Sequence, residues 1–232
     1  MRTRVREPVS TSVVLILGLD TELGVDGRRL QTFVGGLADA CQWIEHDGAM
    51  AGVQVDLSPL GARMLLGVPM HELARTSVAL EDVIGADART LEAQLHEAAS
   101  WDERFDLVDR ALASRIGRAE QPPPDVTWAW NRLDATHGCT TVGELAASLG
   151  CSRKHLAARF REHVGLPPKT VARTMRFRRA TELLPDHSLD EVAHACGYYD
   201  QSHLDLDFRH FASATPSAYR RDPREVTFFQ DA

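Results

Sequence analysis

"TVGELAASLGCSRKHLAARF" (Thr141–Phe160) and "SLDEVAHACGYYDQSHLDLDF" (Ser188–Phe208) are one pattern written twice. Each opens on a capping box, Thr141 with Glu144 and Ser188 with Glu191, whose side chains satisfy free amides of a helix's first turn. Apolar positions follow: Leu145, Ala146 and Leu149 in the first, Val192, Ala193 and Cys196 in the second. A glycine then ends each helix, Gly150 or Gly197, because a positive φ is needed there. A second cap, Ser152 or Asp200, starts another helix that carries Leu and Phe four apart, Leu156/Phe160 and Leu204/Phe208. The second copy has one extra residue in its turn. Two helix-turn-helix units are expected, at about 141–164 and 188–211. One such hairpin is common in helical proteins. Two in register, 47–48 residues apart and joined by the basic amphipathic stretch "KTVARTMRFRRATELL" (Lys169–Leu184), are far more specific.

Three stretches extend the pattern: "ELAASLGCSRKHLAARFREHVGLPPK", "RFRRATELL" and "LDEVAHACGYYDQSHLDLDFRHFASATPSAYRR". Across residues 127–224 they resemble the DNA-binding domain of AraC/XylS-family transcription regulators. The resemblance implies seven helices, with two recognition helices entering successive major-groove segments on one DNA face. The front half resembles, more loosely, sensor or dimerisation domains that precede this module in actinobacterial-type relatives. That likeness rests on "FVGGL", "GVQVDLSPLGARMLLGVPMHEL" and "LEDVIG".

The start of the second helix of such a unit faces base edges. Lys154, Ala157 and Ala158 fall where the family makes base contacts, with Arg153 beside them. Arg153 and Lys154 can donate to guanine or to phosphate, and the two alanines fit a thymine methyl. The alternative for the two cations is solvated surface charge. Thr141, Ser152, Arg159, Arg161, Lys169, Arg173 and Arg176 complete the expected first interface. In the second unit the candidates are Gln201, Ser202, His203 and Leu206, the last standing where the family commonly has an arginine. Gln201 can read adenine, Asp205 can accept from cytosine N4, and Asp207 reads as solvated charge. Residues 151–179 hold nine basic side chains and one acidic, whereas residues 180–224 hold four basic and eight acidic. Phosphate neutralisation supplies most of the affinity for DNA, so the first unit and the joining helix should dominate binding.

"AEQPPPDV" (Ala119–Val126) divides the chain, because three prolines favour a stiff extended connection. This predicts a regulatory or dimerisation domain at 1–118, a linker at 119–126 and the DNA-binding domain at 127–224. Residues 1–125 carry 12 Lys/Arg against 20 Asp/Glu, and residues 126–224 carry 14 against 11. The front half is expected to be α+β, a small antiparallel sheet of four or five strands followed by helices, and the back half all-α. "STSVVLILGL" and "GVQVDL" carry the strand signal. In "WDERFDLVDRALASRIG", Asp102 is the expected cap and Phe105, Val108, Leu112 and Ile116 form an apolar stripe that a partner copy or the sheet covers. Trp43 and His46 are candidates for a small-molecule effector pocket, although ordinary sheet packing is the commoner role of such residues.

Other classes are disfavoured. Apolar content of 44% and a net charge of -7 describe an ordinary globular chain without a uniformly basic coat. Cys41, Cys139, Cys151 and Cys196 show no CxxC spacing, and isolated thiols fit a reducing cytoplasm. "VVLILGL" is too short to span a bilayer, and no small-residue cleavage site follows it. "MHEL" lacks the second histidine of HExxH, and no phosphate loop or nucleophile elbow occurs. His194 and Cys196, two apart, do not share a helix face. No catalytic residue, metal or cofactor is expected. The expected partners are double-stranded promoter DNA, RNA polymerase, a possible small-molecule effector and a possible second copy, with no membrane. The rivals are an interaction protein with a degenerate fold that lacks specific DNA binding, a front-half enzyme fused to a DNA-binding module, and a promoter binder whose front half only dimerises. The front half reads as short for a complete sensor, which implies a minimal version or a truncated start.

Overall fold

Val13–Gly18 is apolar at every position before its glycine because the strand it forms, β2, is covered on both sides. Val13, Leu15 and Leu17 are essentially fully buried against helices, while Val14 and Ile16 face a second sheet. The computed structural model describes residues 3–48 and 50–221. Its front part contains eight strands, more than the pattern suggested. They are β1 (Thr3–Glu7), β2, β3 (Leu23–Val25), β4 (Arg28–Leu30), β5 (Thr32–Gly35), β6 (Gln42–His46), β7 (Gly52–Leu57) and β8 (Ser77–Ala79). They pair antiparallel in two four-stranded sheets, ordered β1-β6-β3-β4 and β7-β2-β5-β8. Three of them have only three residues, too few for alternation to show. Asp26 and Gly27, both at positive φ, make the tight β3–β4 turn. The sheets meet through Val25, Ile44 and Val5 on one side and Phe33 and Ile16 on the other.

Helices cover the far face of the β2 sheet: α1 (Pro59–Leu66), a 3₁₀ turn at Met70–Glu72, α2 (Leu80–Ile84), α3 (Ala86–Glu97) and α4 (Trp101–Ile116). The cap of α4 is Ser100, whose hydroxyl accepts from the Glu103 amide; Asp102 already lies inside the helix. Of the expected stripe only Val108 is fully buried. Leu112 and Ile116 pack partly, and Phe105 is exposed beside Trp101.

The linker is shorter than expected. α5 (Pro124–Ala135) begins on the third proline, whose missing N–H costs nothing in a first turn. Then come α6 (Val142–Ser148), α7 (Arg153–Val164), α8 (Pro168–Leu183), α9 (Leu189–Ala195), α10 (Gln201–Ala212) and α11 (Pro216–Arg221). From α5 onward the described residues hold the seven expected helices; residues 222–224 lie outside them. The main apolar cluster runs unbroken from β2 through α1 and α4 into α5, α7 and α8. A second cluster joins Phe177, Leu184, Val192, Leu204, Phe208 and Phe211, and it also takes in Val9, from the segment between β1 and β2. The Val9 amide donates to the Phe211 carbonyl at 3.1 Å, Arg6 donates to the Ser213 carbonyl at 2.8 Å, and Arg178 donates to the Thr11 hydroxyl at 3.1 Å. The front part thus straps the end of α10 and the side of α8.

Candidate nucleic-acid interface

Both repeated units form as their local signals require. Thr141 accepts from the Glu144 amide while Glu144 accepts from the Thr141 amide, and Ser188 with Glu191 does the same. These bonds hold both glutamates below the usual carboxylate range. Gly150 and Gly197 turn at φ 62° and 68°. Ser152 then caps α7 by accepting from His155, and Asp200 caps α10 by accepting from His203. Leu145, Leu156 and Phe160 are buried in the first unit, and Val192, Leu204 and Phe208 in the second.

The first unit presents a cation-lined cleft of about 440 Å³ between the start of α6, the start of α7 and one side of α8. Thr141, Gly143, Arg153, Lys169 and Arg176 line it. The Arg153 guanidinium lies so close to Gly143 that a Cβ there would stand 2.8 Å from its Nη2, so only glycine admits this pose. Arg176 stacks over the Tyr198 ring at 5.7 Å, and its Nε is buried without a hydrogen-bond partner. Ser152, Lys154, Ala158 and Arg161 are exposed along α7, and Ala157 is half-buried.

Two predicted contacts point elsewhere. Arg159 forks onto Asp125 of α5 with bonds of 2.9 and 3.0 Å, which holds the Asp125 carboxyl below its ordinary range. Arg173 donates to Asp207 at 2.6 Å and lies over the Phe211 ring at 5.0 Å. Asp207 is therefore not solvated charge: it is 6% exposed and ties α10 to α8. Beside it, burial pushes the Tyr198 hydroxyl well above its usual range. Arg178 and Arg179 both pair with Glu182. Among the described residues no carboxylate pairs with Arg153, Lys154, Arg161, Lys169 or Arg176.

The second reader shows a different face. Gln201, Ser202, His203 and Leu206 are exposed, as a contact surface requires. Asp205 is half-buried, and one of its carboxylate oxygens, Oδ1, is buried without a hydrogen-bond partner. Tyr199, 90% exposed, stands at the turn and packs edge-on to His203. The sequence reading missed it because a turn tyrosine carries no periodic signal. The Cys139 thiol reaches the Cys196 carbonyl at 3.8 Å, so the loop before the first unit touches the second.

Trp43 and His46 do not share a pocket. Strand alternation puts them on opposite faces of β6. Trp43 lies under Arg4, at 4.2 Å, on an outer surface, and His46 bonds within its own turn to the Gly48 carbonyl. The cavity between the sheets is lined instead by their neighbours Gln42 and Ile44. Among the described residues no cluster of His, Cys, Asp or Glu could hold a metal, and no helix is long and apolar enough to cross a membrane.

Two capped hairpins on one connecting helix, the first beside a cleft of unpaired cations, define a double helix-turn-helix module of the DNA-binding kind. Residues 145–222 match the family described as a helix-turn-helix domain. An AraC-like transcription regulator of Streptomyces antibioticus is 35% identical over 85 residues, 36% of this chain and 28% of its own length. The transcriptional activator RhaS of Pectobacterium carotovorum is 30% identical over 80 residues, 34% of this chain and 29% of its own. The DNA-binding domain of AdpA, solved in complex with a target DNA, is 32% identical, with 44% of this chain and 99% of that one covered at a TM-score of 0.40. Residues 145–222 thus form a helix-turn-helix domain similar to that of AraC-like regulators. The chain matches under a third of the length of these curated relatives.

Proposed function

We propose that this chain is a sequence-specific transcriptional regulator that binds promoter duplex DNA mainly through its first helix-turn-helix unit and α8. The cleft of Thr141, Arg153, Lys169 and Arg176 carries this reading. A phosphate there would meet three cations at once, while Lys154, Ala157 and Ala158 on α7 would address base edges. The front part would act as the effector-binding or dimerising half, with a second copy covering Trp101 and Phe105, and RNA polymerase would be the downstream partner. The cytoplasm is the compartment proposed, on the cysteine pattern. With Arg159 and Arg173 held by aspartates and Lys154 turned to base edges, four cations remain for phosphates: Arg153, Arg161, Lys169 and Arg176. Four contacts give a log–log salt slope of about -3.6, or roughly a 150-fold loss of affinity between about 50 and 200 mM salt. Fluorescence anisotropy on genomic fragments across that range tests it. Fragments that all bind alike would favour the interaction-protein reading. Light scattering of the full chain tests the dimer.

A further inference from the structure

The two sheets leave a cavity of about 80 Å³ between them, room for roughly six water-sized groups. Its wall is largely apolar, with Val14, Ile16, Phe33 and Ile44 facing it. At its rim stands Glu7, the last residue of β1. One carboxylate oxygen of Glu7, Oε2, is buried and has no hydrogen-bond partner. The charge that acts on it is another carboxylate, Asp56; burial first and Asp56 second lift the Glu7 pKa to about 7. A buried carboxylate without a partner is costly, and an opposite charge is what relieves it.

We propose that this cavity binds a small organic monocation, a primary alkylammonium whose chain lies among the apolar wall and whose head donates to Glu7. The proposal rests on reading the front part as an effector domain, and it names the class of effector. A carboxylate ligand is disfavoured because it would meet the Glu7 carboxylate, on which the Asp56 charge already acts. A neutral alcohol of the same shape gains the apolar contacts but leaves the Glu7 charge uncompensated. Pro8, Val9, Ser10 and Ser12 line the same cavity, and Val9 is part of the second unit's core. A ligand there touches the strap that seats the second reader.

The full chain is titrated calorimetrically with n-butylamine, 1-butanol and sodium butyrate at a pH of about 8, where Glu7 is mostly ionised and the amine is protonated. Saturable binding of butylamine alone is expected, with at least a tenfold loss in Glu7→Gln. That variant removes the buried charge and keeps the shape, so it folds; its melting curve confirms this. Equal binding of butylamine and butanol overturns the cation assignment. No saturable binding of butylamine to the wild type overturns the site. DNA affinity of the ligand-free chain is measured alongside. DNA binding without amine binding defeats this proposal alone, and loss of DNA binding with amine binding intact defeats the regulator reading alone.

Discussion

Ser152 and Asp200 cap the two reader helices alike, accepting the amide three residues on at 3.1 and 2.9 Å. Beyond the caps the two units part. α7 opens with Arg153 and Lys154, both unpaired and exposed, beside a cleft with two more cations. α10 opens with Gln201 and Ser202, then shows Leu206, 61% exposed, while Asp205 is half-buried and Asp207 buried. Each unit is tied down by one ion pair, Arg159 of the first to Asp125 of α5 and Asp207 of the second to Arg173 of α8. Capping and core residues build the frame, and a handful of surface positions decide what the frame can read. Identical frames therefore imply nothing about equal affinity.

The contrast is broken most directly by removing the cations. Arg153→Ala with Lys154→Ala should cost 100-fold or more in affinity for the preferred site, at about 1–3 kcal/mol per good contact. Gln201→Ala with Ser202→Ala should cost less than about tenfold. Equal losses by anisotropy would mean that the second unit reads as strongly as the first.

Asp207 sharpens the comparison differently. As a solvated repulsive charge, its neutralisation would strengthen DNA binding. As the buried partner of Arg173, its loss should destabilise the fold. Asp207→Ala is expected to lower unfolding free energy by about 2 kcal/mol, below the range for a fully buried pair because Arg173 is partly solvated. Urea denaturation decides, and unchanged stability with tighter DNA binding would restore the solvated reading.

Leu206→Arg should convert part of the second face toward the first. A gain of a few-fold in affinity and a salt slope steeper by about one unit are expected. A footprint and slope that stay unchanged would show that this face never meets DNA.

The smallest effect falls on the first unit's tether. Asp125→Asn should cost under about 1 kcal/mol, because both partners are a third exposed. The folded state holds the Asp125 pKa below 3.8, so this stabilisation is present at neutral pH and disappears as the pH falls through that value and below. Wild type and variant should therefore melt alike in strong acid and differ near neutrality.

The back half was legible because its signals are local. A capping box, a glycine and a Leu–Phe pair each lie within four residues, so the repeat and its four helices are legible directly, whereas the count of seven rests on the family resemblance. What escaped was set by distance. Arg159 and Asp125 are 34 residues apart, as are Arg173 and Asp207, and no spacing rule connects them. Short strands such as Leu23–Val25 and Arg28–Leu30 are recruited by their neighbours in the sheet, not by their own alternation. Trp43 stands one position from Ile44 on β6, which in a strand is the difference between inside and outside, while His46 shares the inner face but bonds within its own turn.

Val9 lies 199 positions before Phe208, yet both stand in one apolar cluster. The proline-rich joint is therefore a seam in the sequence but not in the solid. A transplant that cuts at the prolines carries off a second reader with a hole where Val9 stood and an unanswered carbonyl at Phe211. Chimeras that pair this reader with a foreign front half will need residues 6–11, or a substitute for them, to travel with it.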